Sequence, residues 1–219
     1  MEDIVLIGAG GHCRSVIDSI EVLGQYRIAA ITDMPPHIGN DVLGYCVEYT
    51  DQDLPELFRR GIKNAFITIG TSSTASMKMK EQLFNRIKEI GFSCPSVIDP
   101  SAVLSRHIQI DEGVFIAKQC SVNVGVKVGC QAVLNTACIV DHDCFIDSFS
   151  FVAPGVTLSG NVGIGRCSFV GAGSTVIQGI TIGHHSLIGA GSVVVKNIPE
   201  NVVAYGNPCR VIRGLNNDK

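Results

Sequence analysis

From Ile98 to Val194 every sixth residue is aliphatic, through Leu104, Ile110, Ile116, Val122, Val128, Leu134, Val140, Ile146, Val152, Leu158, Ile164, Val170, Val176, Ile182 and Ile188. No position is skipped. With 46% of the chain apolar, an unbroken run of this length has a chance probability of roughly two in a million, so the period reports architecture rather than composition. A hexapeptide period is the signature of a parallel β-helix, in which each unit forms one flat side, three sides close a coil, and residues eighteen apart stack. Two positions before each aliphatic the chain is small or aliphatic, as at Cys120, Ala132, Cys138, Cys144, Ser168 and Ser174, and these are expected to fill the prism. The position after each aliphatic is rich in Gly, Asn and Asp (Asp111, Asn123, Gly129, Asn135, Asp141, Asp147, Gly165, Gly171, Gly183, Gly189). These types tolerate positive φ, so the tight corners are predicted there. With coils about 4.8 Å apart, the prism reads as a rod on the order of 25 Å long.

The repeat divides the chain near Pro95. The reading is a domain over 1–95, the prism over 96–200 and a tail over 201–219 that caps the last coil. In the first domain, residues 4–7 read as a buried strand, followed by Gly8-Ala9-Gly10-Gly11-His12 and the helical spacing of Val16, Ile17, Ile20 and Leu23. Strands are predicted over 27–31 and 65–69, and helices over 51–60 and 76–90, which makes a small Rossmann-like α/β unit with a parallel sheet. Ligands of such sheets bind beyond the carboxyl ends of the strands, where the glycine loop, Asp33 and Gly70 fall. The third glycine of a dinucleotide fingerprint would stand at Cys13, so the loop fits a nucleotide or sugar-nucleotide pyrophosphate at a helix N-terminus, or simply a tight turn.

A net charge of −3 without a basic cluster argues against nucleic acid, and the absence of a leader-like or long apolar stretch predicts a soluble, cytoplasmic protein with no membrane insertion. The nine cysteines contain no CxxC and read as reduced thiols. His184 and His185 are adjacent, read as facing opposite ways on a strand, and have no third ligand in spacing, so no metal is assigned. Asp141-His142-Asp143 is the chemical feature of the repeat: a carboxylate beside an imidazole orients it and raises its proton affinity, giving a base for near-neutral pH. Residue 160, stacked over His142, is glycine. Gly171-Ala172-Gly173-Ser174 recurs as Gly189-Ala190-Gly191-Ser192, which predicts two superposed patches that a long thin ligand can follow. Arginines of the tail, Arg210 and Arg213, are placed to meet phosphates.

These residues resemble the left-handed β-helix of hexapeptide-repeat acyltransferases. The glycine loop together with Asn135-Thr136 and Asp141-His142-Asp143-Cys144 is similar to the group of sialic acid O-acetyltransferases and bacillosamine-type sugar N-acetyltransferases. The resemblance implies a homotrimer that binds acetyl-CoA between adjacent prisms and a nucleotide-linked amino sugar on the N-terminal domain, in a pathway of cell-surface glycan biosynthesis. It implies His142 as base polarised by Asp143, and Gly8, Gly10, Gly11, His12, Asp33 and Gly70 around the nucleotide sugar. Phe151, Gly160, Ala172 and Ala190 are implied along acetyl-CoA, Phe151 standing where some relatives carry a cofactor-contacting histidine. Met34 and Thr71 replace residues common at those positions. The expected reaction is direct acetyl transfer to a 4-amino-4,6-dideoxy sugar, with O-acetylation of a sialic acid and a non-catalytic sugar-nucleotide sensor as alternatives.

Overall fold

The computed structural model describes residues 1–70 and 74–215, and the chain divides into two compact units, Met1–Pro100 and Ser101–Lys219. In the first unit, β1 (Glu2–Ile7), β2 (Tyr26–Thr32) and a strand over Asn64–Ile67 form a parallel sheet in which β1 is central. Every residue of β1 from Ile4 to Ile7 is buried, as expected of a strand covered on both faces. Helix α1 (Gly11–Leu23) buries Val16, Ile17 and Ile20. It ends at Gly24, whose φ of 65° lets its N–H reach the carbonyl of Ile20 at 2.9 Å. Val5 and Ile7, alternating with Ile4 and Leu6, pack with Ala65 and Ile67 against Leu54 and Leu57 of α2 (Leu54–Arg59) and Leu83 and Ile87 of α3 (Thr74–Ile90).

Two local features depart from expectation. The helix predicted over 51–60 opens as a single 3₁₀ turn, Asp51–Asp53, because Thr50 and Asp53 close a capping box at its start. A small hairpin, Asp41–Val42 with Tyr45–Cys46, occupies a stretch with no periodic signal.

The second unit is the parallel β-solenoid that the period predicts, a left-handed hexapeptide prism. Its first face stacks Val103–Leu104, Ser121–Val122, Ile139–Val140, Thr157–Leu158, Thr175–Val176 and Val193–Val194. The second runs from Gln109–Ile110 to Thr181–Ile182, and the third contains Phe115–Ile116, Val133–Leu134, Phe151–Val152, Phe169–Val170 and Leu187–Ile188. Ser121 lies opposite Ile139 and Val122 opposite Val140, an offset of one eighteen-residue coil that holds at every rung. From Ile116 to Val194 each sixth aliphatic is at most 2% exposed. The small inward positions are buried with them, and the serines among them hydrogen-bond to backbone: Ser168 Oγ donates to the Gly183 carbonyl at 2.7 Å, and Ser150 Oγ to that of Gly165 at 2.9 Å. Residues 202–214 belong to this unit. Val202–Gly206 extends the third face beside Leu187–Ile188, and Cys209–Gly214 folds back against it.

The corners fall elsewhere than predicted. From Ile110 to Ile188 positive φ occurs three residues after each aliphatic, at Gly113, Gln119, Gly125, Gln131, Ala137, Asp143, Phe149 and onward, not one residue after. The glycines immediately after the aliphatic answer a different demand, since a Cβ on Gly171 would lie 2.5 Å from the Ala190 nitrogen and one on Gly165 2.6 Å from that of His184. Where Asn or Asp takes that place, its Oδ1 accepts the N–H of the next residue, as in Asn123 to Val124, Asn135 to Thr136 and Asp147 to Ser148.

Candidate active site

The triplet Asp141-His142-Asp143 sits on the edge between the first and second faces, not on a face. Asp141 builds the turn: its Oδ1 accepts the His142 N–H at 2.8 Å and the Asn123 side-chain amide at 2.9 Å. Asp143, at the positive-φ corner, turns its carboxylate back so that Oδ2 lies 2.9 Å from His142 Nδ1. In the neutral imidazole this assigns the proton to Nδ1 and leaves Nε2 as the acceptor. That hydrogen bond holds the His142 proton affinity above the ordinary histidine value, against a smaller loss of hydration and with help from the charges of Asp141 and Asp143. Above it, a Cβ on Gly160 would come within 2.5 Å of Nε2, so the ring occupies the space that the glycine leaves.

The other candidates of the prism are distributed. Ala172 and Ala190 are exposed on the edge between the third and first faces and stack directly, the Gly191 N–H donating to the Ala172 carbonyl at 2.8 Å. Phe151 lies outward on the third face, its ring stacked on Phe169 with centroids 5.3 Å apart. Within one prism only Gly160 accompanies His142. His184 and His185 lie in a turn, not on a strand, and His184 Nδ1 accepts the Arg166 N–H at 2.9 Å. Among the described residues no group of three or more His, Cys, Asp or Glu is placed to hold a metal ion. The tail arginines bond locally, Arg210 to the Cys209 carbonyl at 3.0 Å.

In the first unit Gly8, Gly10, Gly11, His12, Asp33 and Gly70 all line one cavity of about 290 Å³. Thr71 lies outside the described residues. Gly8 holds φ at 106°, and its N–H donates to the Thr32 carbonyl at 2.8 Å; Gly10 caps α1 without a side chain, leaving the helix N-terminus open to the cavity. Asp33 faces the loop and accepts the N–H groups of Ala9 and Met34 at 2.6 Å each, with His37 Nδ1 at 3.1 Å. Burial opposes its ionisation, but those N–H groups and the His37 ring outweigh it and hold the carboxyl below the usual carboxylate range. His12 behaves oppositely. Its Nε2 is buried, and burial together with the charge of the buried Lys80 pushes its proton affinity down to about 3, so it is neutral at physiological pH. A second hollow of about 260 Å³ shares Asp33 and Met34 and contains two further charged residues, Asp51, which lines the first cavity as well, and Arg86. Neither of those two was predicted, although the Thr50-x-x-Asp53 capping box is a sequence signal that orders Asp51.

Comparison with known proteins completes the assignment. Residues 3–87 match the PglD N-terminal domain family. Perosamine N-acetyltransferase from Caulobacter crescentus, solved with CoA and GDP-perosamine, is 35% identical, with a TM-score of 0.91 over 97% of this chain and 98% of that one. This chain belongs to the hexapeptide-repeat nucleotide-sugar N-acetyltransferases. The acetyltransferase domain of PglB from Neisseria gonorrhoeae, solved with acetyl coenzyme A, is 30% identical, with a TM-score of 0.88 over 96% of this chain and 99% of that one. WeeI from Acinetobacter baumannii shares the fold at 24% identity and a TM-score of 0.85, over 97% of this chain and 100% of that one. The chain is therefore an acetyltransferase acting on a sugar amino group, and its two units carry the two candidate sites that such chemistry requires.

Proposed function

We propose that this acetyltransferase moves the acetyl group of acetyl-CoA to the amine of a nucleotide-linked 4-amino-4,6-dideoxy sugar, with His142 as general base. The observation that carries the reading is the His142–Asp143 pair at 2.9 Å, with the imidazole seated over Gly160, whose missing side chain leaves room for the ring. The amine nitrogen bonds to the thioester carbonyl carbon, its proton passes to His142 Nε2, and the carbon–sulfur bond breaks to give CoA, which recovers the proton as thiol. Asp143 stabilises the imidazolium without becoming protonated, and the Gly160 N–H is assigned to the developing oxyanion. His12 is the weaker base of the two, since its depressed proton affinity gives little driving force near neutral pH.

On the first unit, the N-terminus of α1 receives the phosphates and the ionised Asp33 accepts hydroxyl or ring N–H donors of the nucleotide. Gly160 and His142 lie on one edge of the first face, and Ala172 and Ala190 on the other. That separation fits a homotrimer in which acetyl-CoA lies between the first edge of one prism and the second edge of its neighbour. Phe151, on the third face, contributes only if that cleft extends around the prism. The described residues contain no helix long and apolar enough to cross a membrane. We place the reaction in the cytoplasm, preparing a building block for a cell-surface glycan.

The test is thiol release from acetyl-CoA with UDP-, dTDP- and GDP-linked amino sugars, CMP-sialic acid and free sialic acid, using wild type and His142→Ala. Turnover with an amino sugar, abolished in the variant, supports the reading. Turnover only with a sialic acid replaces it with O-acetylation, and binding without turnover replaces it with a sensor.

A further inference from the structure

One coil below Asp143, at the same corner, stands Gly125, whose N–H donates to the His107 carbonyl at 2.9 Å. Its φ of 75° does not by itself require glycine in this fold, because Gln119, Gln131, Ala137 and Phe149 hold the equivalent position at the other corners with φ between 58° and 60°. Space does require it. A Cβ on Gly125 would fall 2.2 Å from Asp143 Oδ1 and 3.2 Å from Cγ. The backbone one coil up is held by the Asp143 N–H donating to the Val124 carbonyl at 2.9 Å, so the carboxylate is the part that must turn away. Because Oδ2 of that carboxylate is the atom against His142 Nδ1, turning it breaks the pair.

We infer that Gly125 is a positioning residue for acetyl transfer: its missing side chain is what allows Asp143 to lie against His142. With Gly160 above, the pair is bracketed by glycines from the coils on either side, Gly125 accommodating the carboxylate and Gly160 the imidazole. The inference rests on His142 acting as the base. The titratable groups facing His142 are Asp141 and Asp143 on its own turn, while the stacked positions of the neighbouring coils are Val124 and Gly160, both uncharged.

The same edge supplies the control. Gly179 holds φ at 74°, and a Cβ there meets nothing within 4 Å, so Gly179→Ala carries the backbone cost of the substitution without the collision. The experiment compares Gly125→Ala, Gly179→Ala, Asp143→Ala and the double variant Gly125→Ala/Asp143→Ala in the intact enzyme. It follows kcat, the KM for acetyl-CoA and the His142 titration by NMR. The expected result for Gly125→Ala is a loss of about tenfold in kcat, a share of the about 10²–10⁴ that a general base supplies. KM stays constant and the His142 pKa moves down, whereas Gly179→Ala moves neither. Adding Gly125→Ala to Asp143→Ala has no further effect, and that background also removes the collision should the single variant fail to fold. Equal losses in the two glycine variants, an unmoved His142 titration, or a full additional loss in the double variant overturns the inference. Full activity in His142→Ala overturns the base assignment instead, and the NMR titration still reports whether Gly125 sets the Asp143–His142 contact.

Discussion

His142 Nδ1 and Asp143 Oδ2 are neighbours in sequence yet meet at 2.9 Å because the corner between them turns the second residue back over the first. The base must be unprotonated to act, so the rate rises with pH through the raised His142 pKa. Replacing Asp143 with Asn weakens the hydrogen bond that chiefly raises it and removes one of the two charges that assist. The acid limb of the kcat/KM profile is expected to move to lower pH, while the plateau falls about tenfold as the imidazolium loses its partner. The pH dependence of kcat/KM with a saturating sugar nucleotide checks both parts.

Gly160→Ala places a methyl carbon where Nε2 lies 2.5 Å away. The imidazole is displaced, and kcat is expected to fall about 10²-fold, the lower end of what a general base contributes. The thermal midpoint should change little, because the ring is at the surface and has room to move outward. Steady-state kinetics beside a melting curve separates the two effects.

Asp33→Ala leaves the Ala9 and Met34 N–H groups without the carboxylate that accepts them. The expected cost is about 1 kcal/mol, at the low end for an unmade hydrogen bond because the site is partly open to solvent. The carboxyl is depressed in the folded protein. Its contribution is therefore present in full above the ordinary value of 3.8 and is lost as pH falls through the lower folded value. Urea unfolding of both proteins at neutral pH and near pH 3 should show the difference shrinking in acid.

Thiol reactivity should be uneven. Cys46 is exposed, whereas burial pushes Cys13 up to about 11, and Cys138 is driven higher still by its hydrogen bond with Cys120 and by burial. At pH 7.5 iodoacetamide is expected to label Cys46 first and to leave Cys13, Cys138 and Cys144 unmodified until the protein unfolds. Peptide mass spectrometry over time reads the order.

The prism was fully legible because its determinant is one-dimensional: an inward aliphatic at every sixth residue fixes face, coil and stacking together. The six candidates around the glycine loop were legible for a related reason, as all follow the carboxyl ends of parallel strands. The corner position was misplaced because Gly and Asx after each aliphatic suggest positive φ, when close coil contact and side-chain capping explain them. Gly125 was silent in sequence. Its role depends on which way a side chain eighteen residues later turns, and no period encodes that. Asp51 and Arg86 were missed for the same reason, since their nearness to Asp33 arises from how strands and helices pack.

The constant eighteen-residue offset between stacked rungs restricts how such a chain can change length. Losing one residue from a turn would rotate every later aliphatic off the interior and expose the buried serines, so the prism tolerates lengthening or shortening only by whole coils. A complete coil added beyond Val194 would leave His142, Gly125 and Gly160 in their present stack. The chemistry of this enzyme is thus insulated from the one kind of insertion its scaffold readily accepts.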